Sequence, residues 1–385
     1  MPLAHYLKNY FAQHKKHGSK DRKYISQICY CYYRLGQALK NLCVEERLKA
    51  AIFLCNDEIS EWAILYDEIW LEQHNPALNA RIAFLHEIHS FAVQQIFPWQ
   101  ADFSDEIDAE AFAISHLTQP NLFLRVRPDK KETVIQKLQS ANIQFQQIGE
   151  NGLVLANNSQ ADKTITLNKE AVVQDYSSQQ ISSFFQYIQL ETVQMDPLGK
   201  NRKLDIWDCC AASGGKSIMA YDIFKNITLT VSDVRTSIIH NLRQRFAEAG
   251  IKNYTSLVAD LSNSPFTTDP APILGSGRHS PYDLIICDAP CTGSGTWGRT
   301  PEQLYFFTQD KIRNYSTLQR KIVQTTLPYT KKDGYFLYIT CSIFSDENEA
   351  AVDLIQQQGF TLVKKAVLAG YDKKADTMFA ALLKK

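Results

Sequence analysis

From Lys203 onward, strand-length apolar runs alternate with helical stretches, and this alternation restricts the possible folds more than any other feature of the chain. The runs are LDIWDCC, TLTVSDV, YTSLVAD, YDLIICDAP and GYFLYITCS, with SIIHNLRQRFAEAG and IRNYSTLQRKIVQTTL among the stretches between them. Strands joined through helices cannot form hairpins. They pair in parallel through right-handed crossovers, which predicts a doubly wound sheet. FTLVKKAVLAG and TMFAALLKK then read as two closing strands, a hairpin at the sheet edge.

Upstream the periodicity changes twice. Apolar residues recur at helical spacing from Leu3 to His14, where Gly18 ends the pattern and Ser19 can cap a second helix. Further helices are expected at about 45–55, 58–70, 78–95 and 108–117. After Pro120, NLFLRVRP, IQFQQIG and GLVLAN read as strands and DKKETVIQKLQSA as a helix. ITLNKEAVVQDYSSQ then leads to a helix near 180–194, MDPLGKNRK is a turn-rich boundary, and residues 262–281 read as a surface loop. The expected fold class is α/β. A Rossmann-like doubly wound core at 179–385 follows a small α/β, ferredoxin- or RRM-like module at 118–178 and an all-helical domain at 1–117.

Composition excludes some classes. No apolar run approaches the roughly 18 residues of a membrane span, and the first twenty residues lack the apolar core of a signal peptide, so a cytoplasmic monomer is expected. Lys plus Arg equals Asp plus Glu, 41 each. A nucleic-acid site must therefore be a local patch. Two patches qualify, Lys15, Lys16, Lys20, Arg22 and Lys23, and Arg125, Arg127, Lys130 and Lys131; a solvated surface explains either equally well. The nine cysteines form no CxxC pair and no Cys/His cluster with zinc spacing, so neither disulfides nor a metal is expected. Cys29, Cys31, Cys43 and Cys55 lie in apolar helical sequence and read as core.

In an open parallel sheet, ligands bind beyond the carboxyl ends of the strands. The first strand of the core ends in Asp208-Cys209-Cys210-Ala211-Ala212-Ser213-Gly214-Gly215-Lys216. Small residues there let backbone approach a ligand, and the next helix start favours negative charge. The GKS ending is not a phosphate loop, because Cys210 stands where that motif needs Gly. The next three strands end in Asp233, Asp260 and Asp288. Each could be only a helix cap, but four successive strand ends carrying Asp fit a rim that holds a nucleoside. Two cysteines complete the set: Cys291 in the turn after Asp288, and Cys341 ending the fifth strand before a helix that Asp346 and Glu349 could start as a capping box.

These residues carry a resemblance. Asp208 to Ser217 resembles the motif DxCAAPGGKT, Asp288 to Gly295 resembles DAPCSGxG, and YITCSIFSDENE resembles YxTCSxxxxENE. Val173 to Gln179 resembles VQDxSSQ. Four motifs in this order are similar to the Sun/Fmu (RsmB/NOP) type of RNA (cytosine-5) methyltransferases, over residues 120–385. The helical N-terminal region loosely resembles the NusB-like RNA-binding domain of bacterial relatives. The departures are Ser213 in place of Pro, with Trp207, Cys209 and Trp297-Gly298 atypical.

The resemblance implies S-adenosyl-L-methionine as cofactor, bound by Cys210, Ala211, Ala212, Ser213, Gly214, Gly215, Lys216, Asp233, Asp260 and Asp288. It implies Cys341 as nucleophile, Cys291 assisting release, Asp288 at the cytosine edge and Lys216 supporting the charged cluster. The implied partner is RNA, ribosomal RNA favoured and transfer RNA possible. Three rivals stand beside this reading. A DNA enzyme would use the Pro-Cys thiol, Cys291. An amino-group methyltransferase would carry N/D-P-P-Y where this chain has DAPC. A non-catalytic ribosome-assembly factor could retain the fold.

Overall fold

The computed structural model describes residues 1–195, 203–263 and 282–385. Both MDPLGKNRK and the loop expected at 262–281 fall largely outside the described residues. Two compact units emerge. One consists of Met1–Pro120, Ser294–Gln309 and Tyr371–Lys374, and the other of Asn121–Gly293, Asp310–Gly370 and Ala375–Lys385.

The first unit is helical, with Leu3–Gln13, Ser19–Arg34, Val44–Cys55, Leu78–His89 and Ala109–Ser115 as its longer elements. Gly18, not Ser19, caps the second helix; its backbone N–H donates to Asp21 at 2.9 Å. The helix expected over 58–70 is broken into a 3-10 turn at Ser60–Leu65 and a short helix at Glu68–Gln73, where the Asp67 carboxylate accepts from the Trp70 N–H. Aromatic side chains fill the interior: Phe53 meets Trp70 and Phe84, and Phe97 meets Phe112 and Trp297.

The second unit holds two sheets. The smaller contains β1 (Leu122–Val126), β2 (Phe145–Ile148), β3 (Gly152–Leu155) and β4 (Ala171–Val173), all antiparallel, in the order β2-β3-β1-β4. The helix Lys131–Ser140 buries Val134 and Leu138 against Leu124, Val126, Leu153 and Leu155. β4 lies in sequence read as a connector. Three residues carry too little pattern to announce a strand, and pairing with β1 makes it one (Arg125 opposite Val172).

The larger sheet has β5 (Leu204–Asp208), β6 (Ile227–Asp233), β7 (Tyr254–Val258), β8 (Tyr282–Asp288), β9 (Thr330–Thr340), β10 (Thr361–Leu368) and β11 (Met378–Lys384). Their order is β10-β11-β9-β8-β5-β6-β7, parallel except where β11 pairs with β9 and β10. This is a Rossmann-like doubly wound sheet. Both faces are covered, so its strands are apolar throughout rather than alternating. Leu284 and Ile286 face Ile218, Met219, Leu242 and Phe246. Ile285 and Cys287 face the opposite way, toward Ile322, Val323, Val352 and Ile355. β5 continues to β6 on one side and neighbours β8 on the other, which places the switch in strand order between β5 and β8. Ligand crevices form at such points. Among the described residues no helix is long and apolar enough to cross a membrane.

Candidate active site

The β5–helix turn is built to leave space. Ala212 and Gly214 both take positive φ, 45° and 81°. A Cβ on Gly214 would stand 2.6 Å from the Phe246 ring, so only glycine fits there. A Cβ on Gly215 would meet nothing within 4 Å, so that side of the turn is open at the start of the helix Gly215–Phe224. Ser213 replaces the expected Pro, and Arg245 does the fixing instead: one guanidinium nitrogen donates to the Ser213 carbonyl at 2.9 Å and to its hydroxyl at 2.6 Å. An open, rigid turn of small residues with free helix N–H groups fits a nucleoside cofactor.

Asp233 ends β6 beside this turn. It accepts from the Ala212 N–H at 3.2 Å and from the Arg235 guanidinium at 2.9 and 3.1 Å. Burial works against its charge, yet the Arg235 bonds hold its carboxyl below the usual range. The Arg235 side chain is 58% exposed, while the backbone N–H groups of Arg235 and Ala212 each donate to one Asp233 oxygen. Asp260 is placed differently. It is exposed two residues past β7, and its carboxylate accepts from Ser262 and Asn263, tying up its own loop.

At the switch point Lys216 donates to Asp288 at 2.6 Å. Burial alone would lower the Lys216 pKa, but Asp288 and the neighbouring Asp208 raise it, so the ammonium stays charged. Asp208 itself is buried, accepts from the Ser217 hydroxyl at 2.6 Å, and is pushed up to about 7, by burial first.

β8 and β9 run in parallel with Asp288 opposite Ile339, so the turns leaving them emerge side by side. The Sγ atoms of Cys291 and Cys341 lie 3.3 Å apart. The hydrogen bond to Cys341, together with burial, holds the Cys291 thiol well above the ordinary thiol range. Of the anticipated residues, the fold brings Cys291, Cys341, Asp288 and Lys216 into one cluster and sets Cys210 to Gly215 and Asp233 around the adjacent turn. Asp260 stands apart with its loop.

Two further residues organise this site. Glu347 is completely buried and grips both cysteine turns: it accepts from the Thr292 N–H at 2.8 Å, from the Thr292 hydroxyl at 2.6 Å, and from the Ser342 hydroxyl. Asn348 donates to the Ser342 carbonyl at 2.9 Å and accepts from Thr340. The expected capping box of Asp346 and Glu349 is absent. The helix Glu349–Gln357 starts at Asn348 without a side-chain cap. The ENE string carries the signal, and it is Glu347 and Asn348 in it, not Asp346 and Glu349, that bind the neighbouring turns.

The second basic patch is also corrected. Arg125 donates to Asp222 at 2.8 Å and to Gln174 at 2.7 Å, and Arg127 to Asp222 at 2.6 Å and to the Ala249 carbonyl at 2.6 Å. Both guanidiniums are nearly buried. They join the small sheet to the core and do not offer charge to a phosphate.

A family model described as 16S rRNA methyltransferase RsmB/F matches residues 194–379. The probable ribosomal RNA small subunit methyltransferase B of Bacillus subtilis is 24% identical over 255 residues, 65% of this chain and 52% of its own length. The mouse tRNA (cytosine(72)-C(5))-methyltransferase NSUN6 is 28% identical over 151 residues, 38% of this chain and 31% of its own length. The chain thus spans about half or less of these curated relatives. The crystal structure of PH0851 superposes with a TM-score of 0.68 at 21% identity, covering 98% of this chain and 93% of that one, which establishes the fold across both units. Residues 194–379, a little under half of the chain, thus match the RsmB/F family of methyltransferases.

Proposed function

We propose that this protein methylates carbon 5 of cytosine in RNA through a covalent bond between Cys341 and the base. The observation that carries this reading is the pair of cysteines 3.3 Å apart beside the Lys216–Asp288 ion pair. Carbon 5 of cytosine is a weak nucleophile, and a thiolate added at carbon 6 makes it enamine-like. S-adenosylmethionine, held at the Cys210–Gly215 turn and Asp233, supplies the methyl group. Asp288 hydrogen-bonds the cytosine edge while Lys216 holds its carboxylate in place. Solvent water takes the carbon 5 proton as the bond from carbon 6 to Cys341 breaks, and the sulfur leaves as a thiolate that the Cys291 thiol stabilises by donating a hydrogen bond. The base must leave its stack to reach this depth, so loops or splayed strands are the expected targets. Ribosomal RNA is favoured by the family's description; transfer RNA is the alternative, on the mouse relative.

The test uses labelled ribosomal and transfer RNA from cells lacking this protein, with bisulfite mapping of the product. Cys341→Ala should bind RNA yet give neither product nor adduct. Cys291→Ala should accumulate a protein–RNA species that survives denaturing electrophoresis when S-adenosylmethionine is present. An adduct in Cys341→Ala and none in Cys291→Ala would make Cys291 the nucleophile, as in the DNA-type arrangement. No product from any RNA with the wild type would favour the non-catalytic assembly factor.

A further inference from the structure

Two cysteines that the proposed chemistry leaves unused, Cys209 and Cys287, are brought together with Cys210 at the switch point. Their three Sγ atoms all lie within 4.8 Å of one another. Cys209 ends the run out of β5 and Cys287 stands one residue before the end of β8, and the Cys209 N–H donates to the Ile286 carbonyl at 2.9 Å. Cys209 and Cys287 are buried, while Cys210 is partly open. Among the described residues this is the one group of three or more metal-ligating side chains.

We propose that these three cysteines form a site for one thiophilic d10 ion, of the copper(I) or zinc(II) class. Thiolate ligands select such ions over hard cations. Metal–sulfur bonds of about 2.3 Å place sulfurs about 4 Å apart in a trigonal or tetrahedral set, so the cluster closes on an ion with shifts under about 1 Å. Among the described residues no His, Asp, Glu or further Cys side chain joins the three. Burial of two of the thiols leaves only the Cys210 side for a water. That favours three-coordinate copper(I) over zinc(II), which takes a fourth ligand. Binding exchanges thiol protons for the ion, and the protons pass to solvent. Spacing in the sequence gives no sign of the site, because its ligands come from two strands nearly eighty residues apart. Since Cys210 opens the cofactor turn, a bound ion would fix that turn to β8.

The wild-type protein is titrated anaerobically with copper(I) against a chromophoric chelator and, separately, with zinc(II). The expected result is one ion per chain, at least tenfold weaker in Cys209→Ser/Cys287→Ser and retained in Cys291→Ser/Cys341→Ser. Retention in the first variant, or loss only in the second, would move the ion to the catalytic pair and overturn the proposal. X-ray absorption of the loaded wild type serves if a variant fails to fold. Three sulfurs at about 2.3 Å support the site, and two sulfurs or a nitrogen–oxygen shell refute it.

Discussion

Glu347 is the residue on which the geometry of the two thiols turns. One buried carboxylate receives hydrogen bonds from both flanking turns, beside the direct contact between the two sulfurs. Hydrogen bonds to a charged group are worth about 1.5–3 kcal/mol each, and Gln keeps the size while losing the charge and one acceptor. Glu347→Gln should lower kcat for RNA methylation at least tenfold, leave the Kd for S-adenosylhomocysteine within twofold, and keep a cooperative melt; an unchanged kcat would make Glu347 merely structural. Asp208 supports a different prediction. Its native pKa of about 7 lies above the ordinary 3.8, so the native state binds more protons than the unfolded one between those values. Stability therefore falls as pH rises from about 4 to 7 and levels off above, by about 4 kcal/mol in all. In cofactor-free protein, Asp208→Asn should flatten this part of the profile in urea melts; the same slope in mutant and wild type would assign it to other groups.

Among the elements, the small sheet depends on a charge it cannot supply. Arg125 lies on β1, Arg127 just beyond it, and both pair with Asp222 in the helix Gly215–Phe224. Removing one partner from a buried ion pair costs about 3–5 kcal/mol, because the remaining charge stays in a poor solvent. Asp222→Ala strands two guanidiniums and should lower Cm in urea accordingly, whereas reversing Lys130 and Lys131 should leave Cm within error. Equal effects from the two changes would contradict the buried-pair account. The sequence presented the four cations as a single patch. Strand alternation and the position of Asp222, nearly a hundred residues away, divide them into buried and accessible pairs.

For the molecule as a whole, chain connectivity joins the helical unit to the turn that carries Cys291. The segment Ser294–Gln309 belongs to that unit and continues directly from the Cys291–Gly293 turn. Arg34 is buried and donates from one nitrogen to the carbonyls of His116, Thr118 and Gly298, at 3.0, 3.0 and 2.9 Å. Arg34→Met leaves the three carbonyls without their donor, that of His116 being buried, at a cost of about 3 kcal/mol. The expected outcome is a lower Tm and RNA methylation reduced at least fivefold, with S-adenosylhomocysteine affinity at the separate Cys210–Gly215 turn unchanged. Full activity at a lowered Tm would show that this segment does not shape the catalytic turn.

The sequence by itself determined the doubly wound sheet and the places where chemistry gathers. Apolar runs of strand length are periodic and local, and Asp208, Asp233, Asp288 and Cys341 fall at or just past strand ends wherever those runs stop. It could not determine which of these groups meet. Register between β8 and β9 decides that Cys291 faces Cys341, and burial decides that Glu347 holds their turns while Asp260 caps its own loop. The convergence of Cys209, Cys210 and Cys287 and the burial of Arg125 and Arg127 likewise belong to the tertiary structure alone. Pattern along a chain records what each residue prefers locally; contact between distant residues depends on strand order and register, which no local pattern encodes.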